Sequence, residues 1–297
     1  MSGANNFPVL WLAVSGSARS NGVLNAGYYV FKALNQSYYA MYVKKHACLV
    51  LQVLLAAALR CICIFIPFLA FQAYGYYNIC LGHSHDEMRP WCKKTVPLLY
   101  SFIQSHYWGV GFLQYFQLKQ LPNFLLASPV LSLASCAIYS YAKIESDNFF
   151  SLGFGATVEE KNSASVLFSG GEEPSRDDHH TKIPENKNLR QRQRIKAQGS
   201  SVSSAESEVS VNESGYYSVV MLPFIYHLGF MVATAFFVMH VQVATRFLSA
   251  SPPLYWYASY VMASPGRSSR WGYLIWGYAA SYILLGSLLF SNFYPFT

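Results

Sequence analysis

His240, Gln242 and Arg246 stand within seven residues of one another, between two apolar stretches long enough to enter a membrane. A polar or ionisable group in such a place needs a partner, a water-filled cavity or a bound ligand, and it commonly marks a substrate pathway. Arginine suits phosphate in particular, because its planar fork donates two parallel, charge-assisted hydrogen bonds. The first expectation is therefore an anionic lipid or lipid phosphate at Arg246, with His240 and Gln242 beside it. Arg19 and Asn21 form a second polar pair, set between two short apolar runs near the N-terminus. Arg60 lies in the middle of a longer run, where burial of the charge costs about 2.5–3.5 kcal/mol. No intramembrane carboxylate is available to either arginine, which leaves backbone carbonyls, neighbouring amides, snorkelling to the interface or a lipid phosphate.

Other constellations say less. His83-Ser84-His85-Asp86-Glu87 gathers two histidines and two acids, but a metal site needs three or four convergent ligands and the i, i+2 spacing does not supply them. It reads as a solvated loop tip, and no metal or cofactor is expected. Leu98 to Leu121 mixes aromatics and aliphatics with Gln104, His106, Gln114, Gln117 and Lys119. Such a segment is too polar to span a bilayer and too apolar for water, so it should lie along the membrane surface, either as a structural helix or as a platform for a lipid-linked substrate. Phosphate-cradling P-loops, GxGxxG turns, HExxH and CxxC pairs are absent from the sequence, which argues against soluble nucleotide chemistry.

The elements that must position these residues follow from composition. The chain is 53% hydrophobic and 12% charged, half the charge of an ordinary soluble domain. Apolar runs approaching the ~20 residues that cross a bilayer occupy 47–76, 124–141, 218–240, 247–262 and 273–290, with shorter ones at 7–15 and 23–34. The run at 47–76 exceeds one untilted span, so it tilts, bends at Pro67 or continues into the interface. Pro252 and Pro253 predict a broken start for 247–262. The fold class is all-α, a multi-span transmembrane helical protein with one long disordered loop.

Charge divides the chain into three regions: a transmembrane and luminal-loop region at 1–142, a disordered and cytoplasmic loop at 143–214, and a C-terminal transmembrane region at 215–297. The middle region holds twelve of the fourteen acids and nine of the twenty-one bases, a composition that cannot bury enough apolar surface to fold. Its basic cluster from Lys187 to Lys196 reads as a solvated stretch rather than a nucleic-acid tail, so no nucleic-acid partner is expected. With that loop cytoplasmic, alternation puts 77–122 and the His240 to Pro252 connection on the opposite side. Lys44, Lys45, Arg267 and Arg270 then fall in the cytoplasm, as the positive-inside tendency asks. Cys80 and Cys92, which flank a polar run, are either a disulfide in an oxidising lumen or two free thiols.

Several stretches carry a family resemblance. Ala18-Arg19-Ser20-Asn21-Gly22, Pro97 to Gln104, Tyr107-Trp108, Val110 to Leu113, Gln117 to Ala127, Met239 to Val243, Thr245 to Leu248 and the ending Pro295-Phe296-Thr297 resemble, in order, the GPI mannosyltransferase 2 (PIG-V) family. The wording around Gln242 to Trp256 is similar to plant members. The resemblance implies part of a GT-C type glycosyltransferase of the endoplasmic-reticulum membrane. Its donor would be dolichol-phosphate-mannose and its acceptor the GPI lipid precursor, which receives its second mannose in α-1,6 linkage on the luminal side. Membrane lipids, and a partner subunit in the same membrane, are the further partners it implies. Arg246, His240, Gln242, Arg19 and Asn21 are carried over as substrate-binding residues. Family members supply a catalytic carboxylate from a Trp-Asp pair in a first luminal loop, and this sequence contains no Trp-Asp. A missing N-terminal part is therefore expected, the catalytic residue is left unassigned, and a non-catalytic membrane partner or pseudoenzyme in GPI biosynthesis is the alternative.

Overall fold

A computed structural model describes residues 7–81, 89–156, 216–263 and 268–291. Within them the chain forms α1 (Phe7–Ala18), a 3-10 turn at Ser20–Asn25, α2 (Ala26–Tyr38), α3 (Ala47–Cys80), α4 (Leu99–His106), α5 (Leu121–Ile144), α6 (Ser146–Phe150), α7 (Leu222–Phe237), α8 (Ala244–Leu248), α9 (Pro252–Ala263) and α10 (Ser268–Ser291). The described residues contain no strand, so the all-α expectation holds.

The helices form because their apolar residues either recur at helical spacing or surround the helix completely. On α5, Ala127, Val130, Leu131, Ala134, Ala137 and Tyr141 are buried, the i, i+3, i+4, i+7 pattern of one helical face. Their partners are Ile225, Leu228, Met231 and Ala235 of α7 and Ala244 and Leu248 of α8. The three alanines of α5 matter because small side chains let helix backbones approach closely where no water drives association. By contrast, α3 buries only Ala57, Ile64, Gln72, Gly75 and Cys80 along its 34 residues, and Ile62, Leu69 and Tyr74 stay open. An apolar helix with so little of itself covered is one that faces hydrocarbon.

Among the described residues three helical stretches have both the length and the apolarity to cross a bilayer: Ala47–Cys80, Leu118–Ile144 and Val219–Phe237. The helix α10 has 24 residues, about 36 Å at 1.5 Å per residue, with tyrosine and tryptophan interspersed. At about 51 Å, α3 outruns the ~30 Å hydrocarbon layer, and it does so as one continuous helix through Pro67. Its last turns leave the bundle and meet α4, where Tyr100 N–H donates to Gln72 Oε1 at 3.1 Å. Cys80 and Cys92 are joined as a disulfide, and Trp91 beside them is buried and stacks on Phe102. The segment 82–88, with its histidines and acids, lies outside the described residues.

The contacts sort the connections onto two ends of the bundle. One end gathers residues 99–120, the turn at Ser20–Asn25 and the stretch 238–251: Ser20 Oγ pairs with Tyr100 O–H at 2.7 Å, Leu113 N–H donates to Phe237 O, and Leu24 packs on the cluster that holds Ala244 and Leu248. The other end gathers the α2 C-terminus, residues 145–156 and 216–221. There Tyr38 stacks on Phe154, Tyr216 O–H donates to Ala137 O and Tyr141 O–H donates to Ser218 O. Burial pushes the phenols of Tyr216 and Tyr217 upward, so both stay protonated.

Three expectations change. The loop expected to begin at 143 is helical through Phe150, because Phe149 stacks on Tyr226 and Gly153 seats against Leu222; the rest of it, 157–215, lies outside the described residues. The surface segment 98–121 is a helix only over α4, and the rest is turns up to the 3-10 step Leu118–Gln120. Arg60 finds an aromatic partner that was not foreseen, with its guanidinium 5.8 Å from the Tyr29 ring centre, a cation–π contact strengthened by desolvation. The run 247–262 is broken as expected: α8 ends at Leu248 and α9 restarts on Pro252, where proline's missing N–H costs nothing.

The tightest backbone contact is at Gly22, buried in the Ser20–Asn25 turn. A Cβ there would stand 2.4 Å from Ser15 O and 2.7 Å from Gly16 N, both backbone atoms of α1. Gly22→Ala should therefore destabilise the protein by about 1–3 kcal/mol, read as a lower thermal midpoint in detergent. A midpoint equal to the wild type would mean that the turn is free to lift off α1.

Candidate functional site

The end of the bundle that carries residues 99–120 and 238–251 encloses an open cavity of about 410 Å³, lined by Gly109, Gln114, Tyr115, Gln117, Gln120 and His240. That volume falls within the range of small-molecule sites. The three glutamines come at i, i+3 and i+6 from the irregular stretch before α5, and each brings one carbonyl acceptor and two N–H donors. Backbone turns aim them. Gly109 has φ +59°, a left-handed conformation natural for glycine. Leu113 shares that region at φ 59°, which strains a leucine, and its N–H is held by Phe237 O at 2.7 Å.

Within the cavity the polar groups restrain one another. Asn123 Nδ2 donates to Tyr115 Oη at 2.8 Å and to Gln120 Oε1 at 2.7 Å. The Tyr115 ring meets His240 edge to face, with centroids 4.6 Å apart. His240 Nε2 is bonded to Trp108 O. A carbonyl only accepts, so Nε2 is the donor in this bond. Among the described residues the lining contains amides, a phenol and an imidazole and no carboxylate, lysine or arginine. The acids among the described residues, Glu145 and Asp147, sit in the α5–α6 corner at the opposite end.

Of the residues carried over as substrate-binding whose side chains are described, His240 lines the cavity, and Gln114 and Gln117 of the surface segment line it too. Gln242 lies in the 3-10 turn Val241–Val243, and its side chain is outside the described set. Arg246 is exposed in the last turn of α8, on the same end but not in the lining. Arg19 is exposed and Asn21 half-buried in the turn after α1, where the neighbouring Ser20 is the residue that reaches α4. Gln120 and Tyr115 went unrecognised. Their signal was the repeat of glutamine every third residue, which acquires meaning only once His240 is brought from more than a hundred residues away. No group of three or more metal-ligating side chains occurs among the described residues.

The profile of the family described as Mannosyltransferase (PIG-V) matches residues 1–297. The chain belongs to the PIG-V mannosyltransferase family. It is 31% identical over 223 residues to GPI mannosyltransferase 2 of Drosophila melanogaster, an alignment covering 73% of this chain and 37% of that protein. Against human GPI alpha-1,6-mannosyltransferase 2 it is 26% identical over 347 aligned positions, covering 97% of this chain and 61% of the relative. The Candida albicans GPI mannosyltransferase 2 gives 25% over 270, covering 91% and 47%. The chain thus spans between about a third and three fifths of the length of these curated relatives. No solved structure matches it. Family and spanning helices together make this a membrane protein.

Gly111 provides a local test of how the cavity is built. A Cβ at this position would come within 2.7–2.9 Å of the Gln114 side-chain amide, so glycine leaves the space in which that amide lies. That amide is the far end of a flexible, exposed side chain, so Gly111→Ala should turn Gln114 aside at a cost of about 0.5 kcal/mol or less and cost nothing in a Gln114→Ala background. Thermal midpoints of the four proteins check this non-additivity; equal costs in both backgrounds would show that Gln114 rests elsewhere.

Proposed function

We propose that the chain works in transfer of the second mannose, in α-1,6 linkage, from dolichol-phosphate-mannose to the GPI anchor precursor at the luminal face of the endoplasmic reticulum. The observation that carries this reading is the neutral polar cavity. A sugar ring presents hydroxyls that both donate and accept, and three amides, a phenol and an imidazole answer them in kind without the desolvation cost of a buried charge. The disulfide Cys80–Cys92 stands on the cavity's side of the bundle, and disulfides persist in oxidising compartments, which supports a luminal placement for that end.

In the proposed step the acceptor hydroxyl oxygen bonds to the anomeric carbon as the bond from that carbon to the phosphate oxygen breaks. Dolichyl phosphate leaves, and the hydroxyl proton passes to a base. His240 offers Nδ1 for that proton, in the role that a carboxylate was expected to hold. Arg246, exposed six residues further on at the same end, offsets the charge that develops on the departing phosphate. Gln114, Gln117 and Gln120 orient the hydroxyls, with Asn123 holding Gln120. That no carboxylate lines the cavity among the described residues favours one second reading, a non-catalytic partner that binds the lipid-linked sugar for another subunit of the same membrane.

Cells lacking GPI mannosyltransferase 2 separate these readings. The chain should restore GPI-anchored protein at the cell surface, read by flow cytometry. In isolated membranes, His240→Ala and Arg246→Ala should each lower the transfer rate by about 10²-fold or more at unchanged protein abundance. Failure of the unsubstituted chain at normal abundance would overturn transfer by this chain and leave the partner reading. Full transfer by His240→Ala would remove the imidazole as base.

A further inference from the structure

The disulfide between Cys80 and Cys92 lies outside the cavity lining, yet a series of contacts runs from it to His240. Residues 89–98 form turns with neither helix nor strand, and Trp91, next to the bonded Cys92, is 1% exposed. Its ring stacks on Phe102 of α4 at 6.4 Å, and Phe102 stacks in turn on His106 at 4.9 Å. From there α4 passes into the loop that meets the histidine. Tyr107 N–H donates to Ile103 O and Val110 N–H donates to Gln104 O, and Trp108, between them, offers its carbonyl to His240 Nε2.

The helix in the middle of this series depends on its neighbours for its position. It has eight residues and buries none of them, and a helix of two turns is marginal without tertiary contacts. Its first turn is fixed to α3 and to the Ser20–Asn25 turn: Leu99 packs over Gly75, Tyr100 N–H donates to Gln72 Oε1, and Tyr100 O–H pairs with Ser20 Oγ. Its second half, which leads to Trp108, leans on Trp91 through Phe102. Trp91 stands on a stretch of turns, and the disulfide ties its neighbour covalently to the end of α3. Resting on the reading of His240 as the base, we propose that Trp91 and the Cys80–Cys92 disulfide are positioning residues for that imidazole. The disulfide seats Trp91, Trp91 seats the second half of α4, and α4 sets the Trp108 carbonyl that fixes the ring. The far flank of the loop is attached separately, since Gly111 and Leu113 donate to the carbonyls of Val238 and Phe237 after α7. Loosening α4 therefore frees the loop on the side of Trp108 and leaves the rest of the bundle in place.

Hydrogen–deuterium exchange on the full chain in phospholipid nanodiscs reads this arrangement without any turnover. Cys80→Ala combined with Cys92→Ala, and Trp91→Ala in the disulfide-bonded chain, should each speed exchange over residues 103–110 about fivefold and leave α5 and α7 as protected as before. Trp91→Phe should restore most of the protection. Tyr38→Ala, which removes the ring stacked on Phe154 at the opposite end, should leave residues 103–110 unchanged. In isolated membranes Trp91→Ala should lower mannose transfer about fivefold where His240 is present and add nothing to His240→Ala, as befits a residue acting through the imidazole. Unaltered exchange over 103–110, protection lost equally over α5 and α7, or transfer losses that multiply in the double variant would overturn the proposal. Localised loss of protection in a chain that transfers no mannose would keep the seating of the loop by the disulfide and remove the transfer reading. Transfer that persists in every variant at unchanged exchange would do the reverse.

Discussion

The close approach of α5 and α7 is the contact on which the rest depends. Ala127, Ala134 and Ala137 on one helix and Ala235 on the other are buried essentially completely, so the two backbones meet with little between them. In hydrocarbon there is no water to drive this association, and packing of small side chains has to do it. Because both helices extend past the contact, it fixes both ends of the bundle at once. At one end it brings Phe237 and His240 to the residues preceding α5, and at the other it presents Tyr216 to the carbonyl of Ala137.

The two ends then differ in how they satisfy polar groups. At the Tyr216 end the hydroxyls are spent on the protein itself: Tyr217 pairs with Ser140, Tyr141 with Ser218 and Tyr216 with Ala137. This end is a lock. At the cavity end amides line an open space, and only part of their capacity is used internally through Asn123. Gln114 and Gln117 are exposed, so water meets their remaining capacity and a polar ligand can take its place.

Much of the architecture was legible in the sequence, because long apolar runs leave a helix few alternatives in a bilayer. The run at 47–76 became α3, the proline pair broke 247–262 where it stands, and His240 and the segment 98–121 were both marked as out of place in polarity. Less legible was anything that depended on aromatic partners. Tyr29 under Arg60, Tyr115 against His240 and Phe149 behind Tyr226 are contacts between residues distant in sequence, and a chain with 23 tyrosines and 21 phenylalanines gives no hint which will meet. The same abundance hid the ordered stretch 143–156, whose charges outweighed its two anchoring phenylalanines in a reading by composition. Arg246 stands out in the sequence as a charge in an apolar setting, yet it is exposed and outside the lining, which among the described residues is made of amides, a phenol and an imidazole.

The cavity is assembled from both sides of residues 157–215: Gln114, Tyr115 and Gln120 precede them in the chain and His240 follows. The flanks of that stretch are anchored to the bundle, Phe154 on Tyr38 and Tyr216 on Ala137, so neither side relies on the connection for its position. The two parts of the chain thus recognise each other through α5 and α7, and neither brings the whole cavity lining by itself.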